Sequence, residues 1–251
     1  MNARQAVLTA LAIVAVTSTS GFASFAAALP SGASWVTNSY DCTKVVYTLN
    51  YELYMANIDG SNSIKITSQG SPVLAAFPRL SPDNTKIAYV DMNDHHFYVI
   101  KIDGTGLTPL APDFFSGGTH PTWSPDNKKV AFEFNLQVYT VNADGTGLTN
   151  ITPNLASRPV DGDGDVDWSP DGSKLVFDRV VFTGVTPNNE AIAVHDLAIV
   201  NSDSTGMTQL IDHGAFPRWA HDGTKIFFES GSAIKSVKPD GTGETSKFFI
   251  D

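Results

Sequence analysis

Apolar and polar positions alternate along this chain in short runs of about five residues. Lys129 to Phe134 (KVAFEF) and Gln137 to Val141 (QVYTV) are β-branched and aromatic with near period-two alternation, which predicts two strands. His120 to Ser124 and Leu148 to Thr152 are shorter runs of the same kind. Between the first two runs stands Ser124-Pro125-Asp126-Asn127, and between the last two Ala143-Asp144-Gly145-Thr146-Gly147. Proline presets φ, Ser and Asp bond nearby backbone, and glycine takes positive φ, so both stretches predict tight turns. The stretch His120 to Thr152 therefore predicts a four-stranded antiparallel meander, strands A to D.

The same punctuation recurs. Phe77 to Leu110 contains FPRLSPDNTKIAYV and IDGTGLT. Asp165 to Leu210 contains DVDWSPDGSKLVFDR. Phe216 to Ile250 contains FPRWAHDGTKIFFES and PDGTGE. Trp35 to Thr67 is a worn copy with YDCTKVVYT and IDGSN. The markers Asn38, Leu80, Trp123, Trp168 and Trp219 are spaced 42, 43, 45 and 51 residues apart. A period near forty with four strands per unit marks propeller blades. The predicted fold is all-β, a single β-propeller of four-stranded antiparallel blades. Five blades are counted, at about 33–67, 75–110, 118–152, 165–210 and 214–251; a sixth would need the chain ends to contribute. Trp123, Trp168 and Trp219 are expected to pack between blades.

These SPDG and DGTG pieces resemble the WD40-like repeats of TolB-type propellers over roughly residues 33 to 251. The resemblance is specific for fold and not for function, since such propellers serve binding proteins and some lyases and hydrolases. TolB itself carries an α/β domain before a six-bladed propeller. Here about thirty residues precede five blades, so the chain looks TolB-like rather than TolB.

Those first residues differ in kind. Arg4 is followed by an apolar run, Ala6 to Val16, and then by the small residues Ala26 to Ala28. This pattern predicts a signal peptide over 1–28 and a periplasmic or secreted protein. The run is short for a membrane anchor, so no stable span is expected after cleavage. The net charge of −10 argues against nucleic acid and anionic membrane surfaces as partners. The lone Cys42 excludes an internal disulfide and occupies the turn position filled elsewhere by Asn or Gly.

In such a meander the A–B and C–D turns lie at one end of the blade. The B–C loops and D–A connections lie at the other, and they vary in length: Asp91 to His96, Ala111 to Thr119, Pro153 to Gly164, Arg179 to Val194 and Ile211 to Ala215. Function is expected on this loop face. Candidate binding residues there and along strand A are Arg79, His95, His96, Phe114, Phe115, His120, Arg158, His195, His213 and Arg218. The run Asp161-Gly-Asp163-Gly-Asp165-Val-Asp167 can wrap oxygens around Ca²⁺. It departs from an EF-hand loop at Val166 and Gly172, and a solvated acidic turn is the alternative. The histidines allow an acid–base or metal site, against which stands a scatter of surface histidines. Arg79 and Arg218 could clamp an acidic ligand, or pair between blades.

No G-x-S-x-G or H-E-x-x-H motif is present, and the GTG runs precede no helix. The expectation is a non-catalytic scaffold binding a protein or an envelope polymer. The alternative is a metal-assisted lyase or hydrolase acting on an acidic polysaccharide or small ester.

Overall fold

The structure is a computed structural model that describes residues 29–67, 74–111, 120–135, 137–153, 162–186 and 191–249. The predicted signal peptide, Phe114, Phe115, Arg158 and Asp161 lie outside the described residues. No helix among the described residues is long and apolar enough to cross a membrane.

Among the described residues twenty strands form five four-stranded antiparallel sheets, so the fold is a five-bladed β-propeller. Blade one is β1 (Ser34–Asn38), β2 (Lys44–Leu49), β3 (Glu52–Asn57) and β4 (Ile64–Lys65). Blade two is β5 (Ala75–Leu80), β6 (Lys86–Asp91), β7 (His96–Lys101) and β8 (Thr108–Leu110). Blade three is β9 (Thr122–Trp123), β10 (Lys129–Phe134), β11 (Gln137–Asn142) and β12 (Thr149–Asn150). Blade four is β13 (Gly162–Trp168), β14 (Lys174–Val185), β15 (Ala191–Asn201) and β16 (Thr208–Ile211). Blade five is β17 (Ala215–Trp219), β18 (Ile226–Ser230), β19 (Ala233–Val237) and β20 (Thr245–Phe249). The chain divides into two compact units, 1–130 with 141–148 and 131–140 with 149–251.

Every B strand carries a large ring at the same step: Tyr47, Tyr89, Phe132, Phe177 and Phe228, all fully buried. Four consecutive residues of β2 and of β6 are buried. Strict alternation fails there because apolar groups cover both faces of the sheet: in β2, Val46 lies in a core shared with blade two, and Val45 and Tyr47 pack with Leu29, Ala33 and Val36. In the first unit, one core joins Val46 and Leu53 of blade one to Ile87 and Tyr89 of blade two. In the second, Val176 and Leu197 of blade four pack with Ile226 and Phe228 of blade five. Burying each such side chain contributes about 1.5–3 kcal/mol.

The turns follow their chemistry. In the A–B turn of blade three, Ser124 Oγ donates to Asp126 at 2.6 Å, and the Lys128 and Lys129 amides donate to Asp126 and Ser124. In the C–D turn Thr146 donates to Asp144 through both amide and hydroxyl. Within the first unit the turns also stitch blades together: Asn84 Nδ2 donates to Asp41 at 2.9 Å, and the Asp83 amide donates to Asn127 Oδ1 at 2.9 Å.

Three segments depart from expectation. Residues 180–185 and 191–194, read above as part of a long loop, are strand: β14 and β15 pair from Lys174↔Asn201 out to Val185↔Ala191. The acidic run is also strand from Gly162 onward, where β13 begins and pairs with β14 as far as Gly162↔Val180. Strand A is not a simple two-residue alternation either. The register shifts between Ser34 and Thr37, Ala76 and Arg79, Gly164 and Asp167, and Ala215 and Arg218. At each bulge one residue takes positive φ: Trp35, Phe77, Asp165 and Phe216, and His120 does so at the equivalent place in blade three. A left-handed non-glycine residue costs about 1–2 kcal/mol, so the surrounding sheet over-determines this conformation.

Candidate binding face

In the first unit the bulge residues of successive A strands touch. The Trp35 and Phe77 rings lie 4.0 Å apart at 53°, and Phe77 meets the His120 ring edge-on at 4.5 Å. All three are half-buried. Left-handed backbone at each of these positions, with its bulge in β1 and β5, bends the strand and re-aims the side chain. Beside them lie the B–C turns. The Tyr51 carbonyl accepts the Ala75 amide and the Leu74 carbonyl accepts the Met92 amide, both at 2.8–2.9 Å, so Tyr51 and Met92 border the start of β5. Tyr51 is 57% exposed and Met92 39%, so the end of the unit carrying the rings also carries open apolar surface.

Two residues further along, the same strands make stitches. Thr37 Oγ1 donates to the Pro78 carbonyl at 2.8 Å, and Trp123 Nε1 donates to the Arg79 carbonyl at 3.0 Å. In the second unit Asp167 fills the position equivalent to Thr37, and its carboxylate accepts the Trp219 amide at 2.8 Å. Arg218 donates to the carbonyl of its own neighbour Pro217 at 2.7 Å. Thus one oxygen of Asp167 fastens blade four to blade five. Asp163 and Asp165 both lie on β13, and the Asp165 side chain is half-buried. Among the described residues no group of three or more His, Cys, Asp or Glu is arranged to hold a metal ion.

The second unit contains a polar pair that sequence reading did not assemble. Asp178, in the middle of β14, is 3% exposed. His195 Nδ1 lies 3.0 Å from its Oδ2, and the His195 side chain is 45% exposed. Burial pushes the Asp178 carboxyl up, and Asp165 adds to the rise; the hydrogen bond from His195 and that from the Phe216 amide oppose it. A Cβ on Gly164 would stand 3.2 Å from Asp178 Oδ1 and 3.4 Å from Glu133 Oε2, so glycine there gives the two acids room. A buried carboxylate holding one imidazole nitrogen orients the ring and directs its other nitrogen outward, the arrangement of a general base. His195 was expected on the loop face ahead of strand C; it stands within β15, paired with Val180. Asp178 was missed because it reads as one polar position in an ordinary strand. The signal was present in the B-strand alignment, where Glu133, Asp178 and Glu229 fall at one step.

The other histidines are dispersed. His95 is a left-handed turn residue, and His96 opens β7 with Nδ1 3.5 Å from Asp94. Asp94 also accepts the Tyr98 hydroxyl at 2.7 Å; burial and this bond push Tyr98 up to about 12. His213 turns the chain after β16, its amide donating to Asp196 at 3.0 Å.

Residues 35–181, more than half of the chain, match the profile of the TolB beta propeller domain, PD40. The chain belongs to that family. A further likeness is to the Tol-Pal system protein TolB of Blochmanniella pennsylvanica, 39% identical over 74 residues. That match spans 26% of this chain, and the chain covers only 16% of the length of that protein. Among solved structures, putative TolB from Agrobacterium tumefaciens superposes with a TM-score of 0.66 at 17% identity, over 85% of this chain and 79% of that one. An oligogalacturonate lyase in complex with manganese superposes with a TM-score of 0.64 at 13% identity, over 85% of this chain and 64% of that one. At such identities the two likenesses show the shared fold alone, and the repeats and turns of this TolB-family chain account for it.

Proposed function

We propose that this protein is an exported scaffold that binds a protein partner or an envelope polymer through the loop end of its blades, without chemistry. The observation that carries the reading is the row Trp35–Phe77–His120 in the first unit. Rigid aromatic surface, half-buried and fixed at strained backbone positions, anchors a partner at little entropic cost. Family membership supports it, as does the likeness to a protein named for the Tol-Pal system. Calcium belongs to the proposal through Asp161, Asp163 and Asp165, with Asp167 already committed in part to the Trp219 amide.

The test is capture from envelope extract by the immobilised chain from Leu29 onward, once with Ca²⁺ and once with chelator. One partner at near-equal stoichiometry is expected, with capture reduced at least tenfold by Phe77→Ala combined with His120→Ala. Failure of the intact chain to retain any component under either condition would sink the scaffold reading. The second reading, a lyase or hydrolase acting on an acidic polysaccharide or small ester, is favoured by the Asp178–His195 pair. It requires turnover of acidic oligosaccharides or esters that His195→Gln abolishes.

A further inference from the structure

Four blades have B and C strands of five or six residues, whereas β14 and β15 run to twelve and eleven. The excess forms a two-stranded arm, from Val181↔Val194 to Val185↔Ala191. β13 accompanies β14 only as far as Val180, and β16 accompanies β15 only as far as Leu197. Above those points, among the described residues, no strand pairs with the outer edge of either arm strand. Natural sheets blunt such edges with lysine, proline or a bulge that turns the edge away. Residues 180–186 and 191–194 contain neither lysine nor proline nor any charged residue, and the one bulge in the arm, between Phe182 and Gly184, puts its extra residue in β14 and leaves β15 without one. Val185 and Ile192 are 53% and 42% exposed.

The foot of the β15 edge is acidic. β16 runs antiparallel to β15 and reaches Ile211 opposite Leu197. The chain then leaves the sheet through Asp212 and the left-handed His213. Asp212 is exposed and shares the Gln209 amide with the buried Asp196, at 2.5 and 3.1 Å. A strand added in line with β16 would therefore begin beside Asp212 and continue along Ala191–Val194.

We propose that the outer edge of β15 accepts an extended segment of the protein partner by strand addition, antiparallel to β15. The segment has apolar residues at alternate positions and a lysine or arginine at its N-terminal end to meet Asp212. Backbone hydrogen bonds supply affinity and the alternate side chains supply selectivity, as in other strand-addition complexes. The inference rests on the scaffold reading and names where and what that scaffold binds.

The probe is the synthetic peptide Lys-Val-Thr-Val-Thr-Val, compared with the same peptide beginning in Glu, titrated into the chain from Leu29 onward. The lysine peptide is expected to bind with a Kd below ~1 mM, and the Glu peptide about tenfold more weakly. Replacing residues 181–194 by Asn-Gly joins Val180 to its pairing partner His195 through a two-residue hairpin turn. This variant should weaken binding at least tenfold. Asp212→Asn, which leaves the arm intact, should remove the preference for lysine over Glu. Equal binding by the shortened chain, no binding of the lysine peptide up to ~1 mM, or self-association through the arm in its place would overturn the proposal. Capture from extract that survives shortening, together with a negative peptide result, would sink the strand-addition site and leave the scaffold reading standing. Peptide binding without any captured partner would do the reverse.

Discussion

Cys42 shows how the repeat fixes the backbone before it fixes the side chain. It stands in the A–B turn of blade one with φ 56°, where Asn84 and Asn127 have 59° and 62° and Gly172 and Gly223 have 73° and 70°. Its sulfur receives only a 3.5 Å contact from Asn38. Cys42→Gly should therefore stabilise the fold by about 1 kcal/mol, read as a raised urea midpoint with unchanged slope. Asp178 is the opposite case, a side chain set by its surroundings. Its folded pKa is raised, so its neutral form suits the fold and stability falls as pH climbs from the unfolded value, near 3.8, through the folded one. Asp178→Asn removes that loss. The stability of this variant relative to the parent should improve between pH 4 and pH 8, and denaturation at a series of pH values checks it. A difference that does not vary with pH would show that burial does not raise the carboxyl.

At the scale of elements, the C–D turn is the joint between blades. In the first unit, a Cβ on Gly104 would lie 2.6 Å from the Ile66 carbonyl oxygen, and one on Gly145 2.6 Å from that of Pro109. Each turn thus presses against the closing strand of the preceding blade, and both glycines have φ above 80°. Gly145→Ala meets a backbone clash and a forbidden φ together and should cost about 1–3 kcal/mol, measured by chemical denaturation. The glycines at these turns were legible as turn formers. Their role as the contact surface of a neighbouring blade was not, because it depends on residues some forty positions away. The arm of blade four was likewise illegible as strand: Thr183-Gly184 and the sequence Pro187-Asn188-Asn189 punctuate it like a loop, and only the pairing of β14 with β15 holds it extended.

Across the whole molecule, ten turn aspartates share one chemistry: Asp41, Asp83, Asp126, Asp171 and Asp222 in the A–B turns, Asp59, Asp103, Asp144, Asp203 and Asp240 in the C–D turns. Amides and hydroxyls of the turn donate to each and hold all ten carboxyls below the ordinary range. For Asp41, burial pushes up but the bonds from Ser39, Thr43 and Asn84 prevail and bring it down to about 2. A lowered folded pKa contributes stability that is complete above the unfolded value and lost as pH falls through the folded one. The thermal midpoint should therefore fall steeply between about pH 4 and pH 2. Calorimetry along that range checks it, and a midpoint unchanged down to pH 2 would contradict the shared role of these turns.

The blade count, the strand composition of each blade and the turn at every corner were determined by the sequence itself. Each depends on interactions within a few residues: the alternation of a pleated strand, proline and glycine at turn positions, an Asp bonding the amide two residues on. Tertiary structure decided the rest. Left-handed φ at Trp35, Phe77, His120, Asp165 and Phe216 is imposed on side chains that disfavour it, so no local preference announces it. Asp178 met His195, and Asp167 met the Trp219 amide, only because strands distant in sequence were brought into register. The β14–β15 arm needed its full ladder to exist. Local chemistry sets the repeat; long-range packing sets which of its positions bend, pair or stay open to a partner.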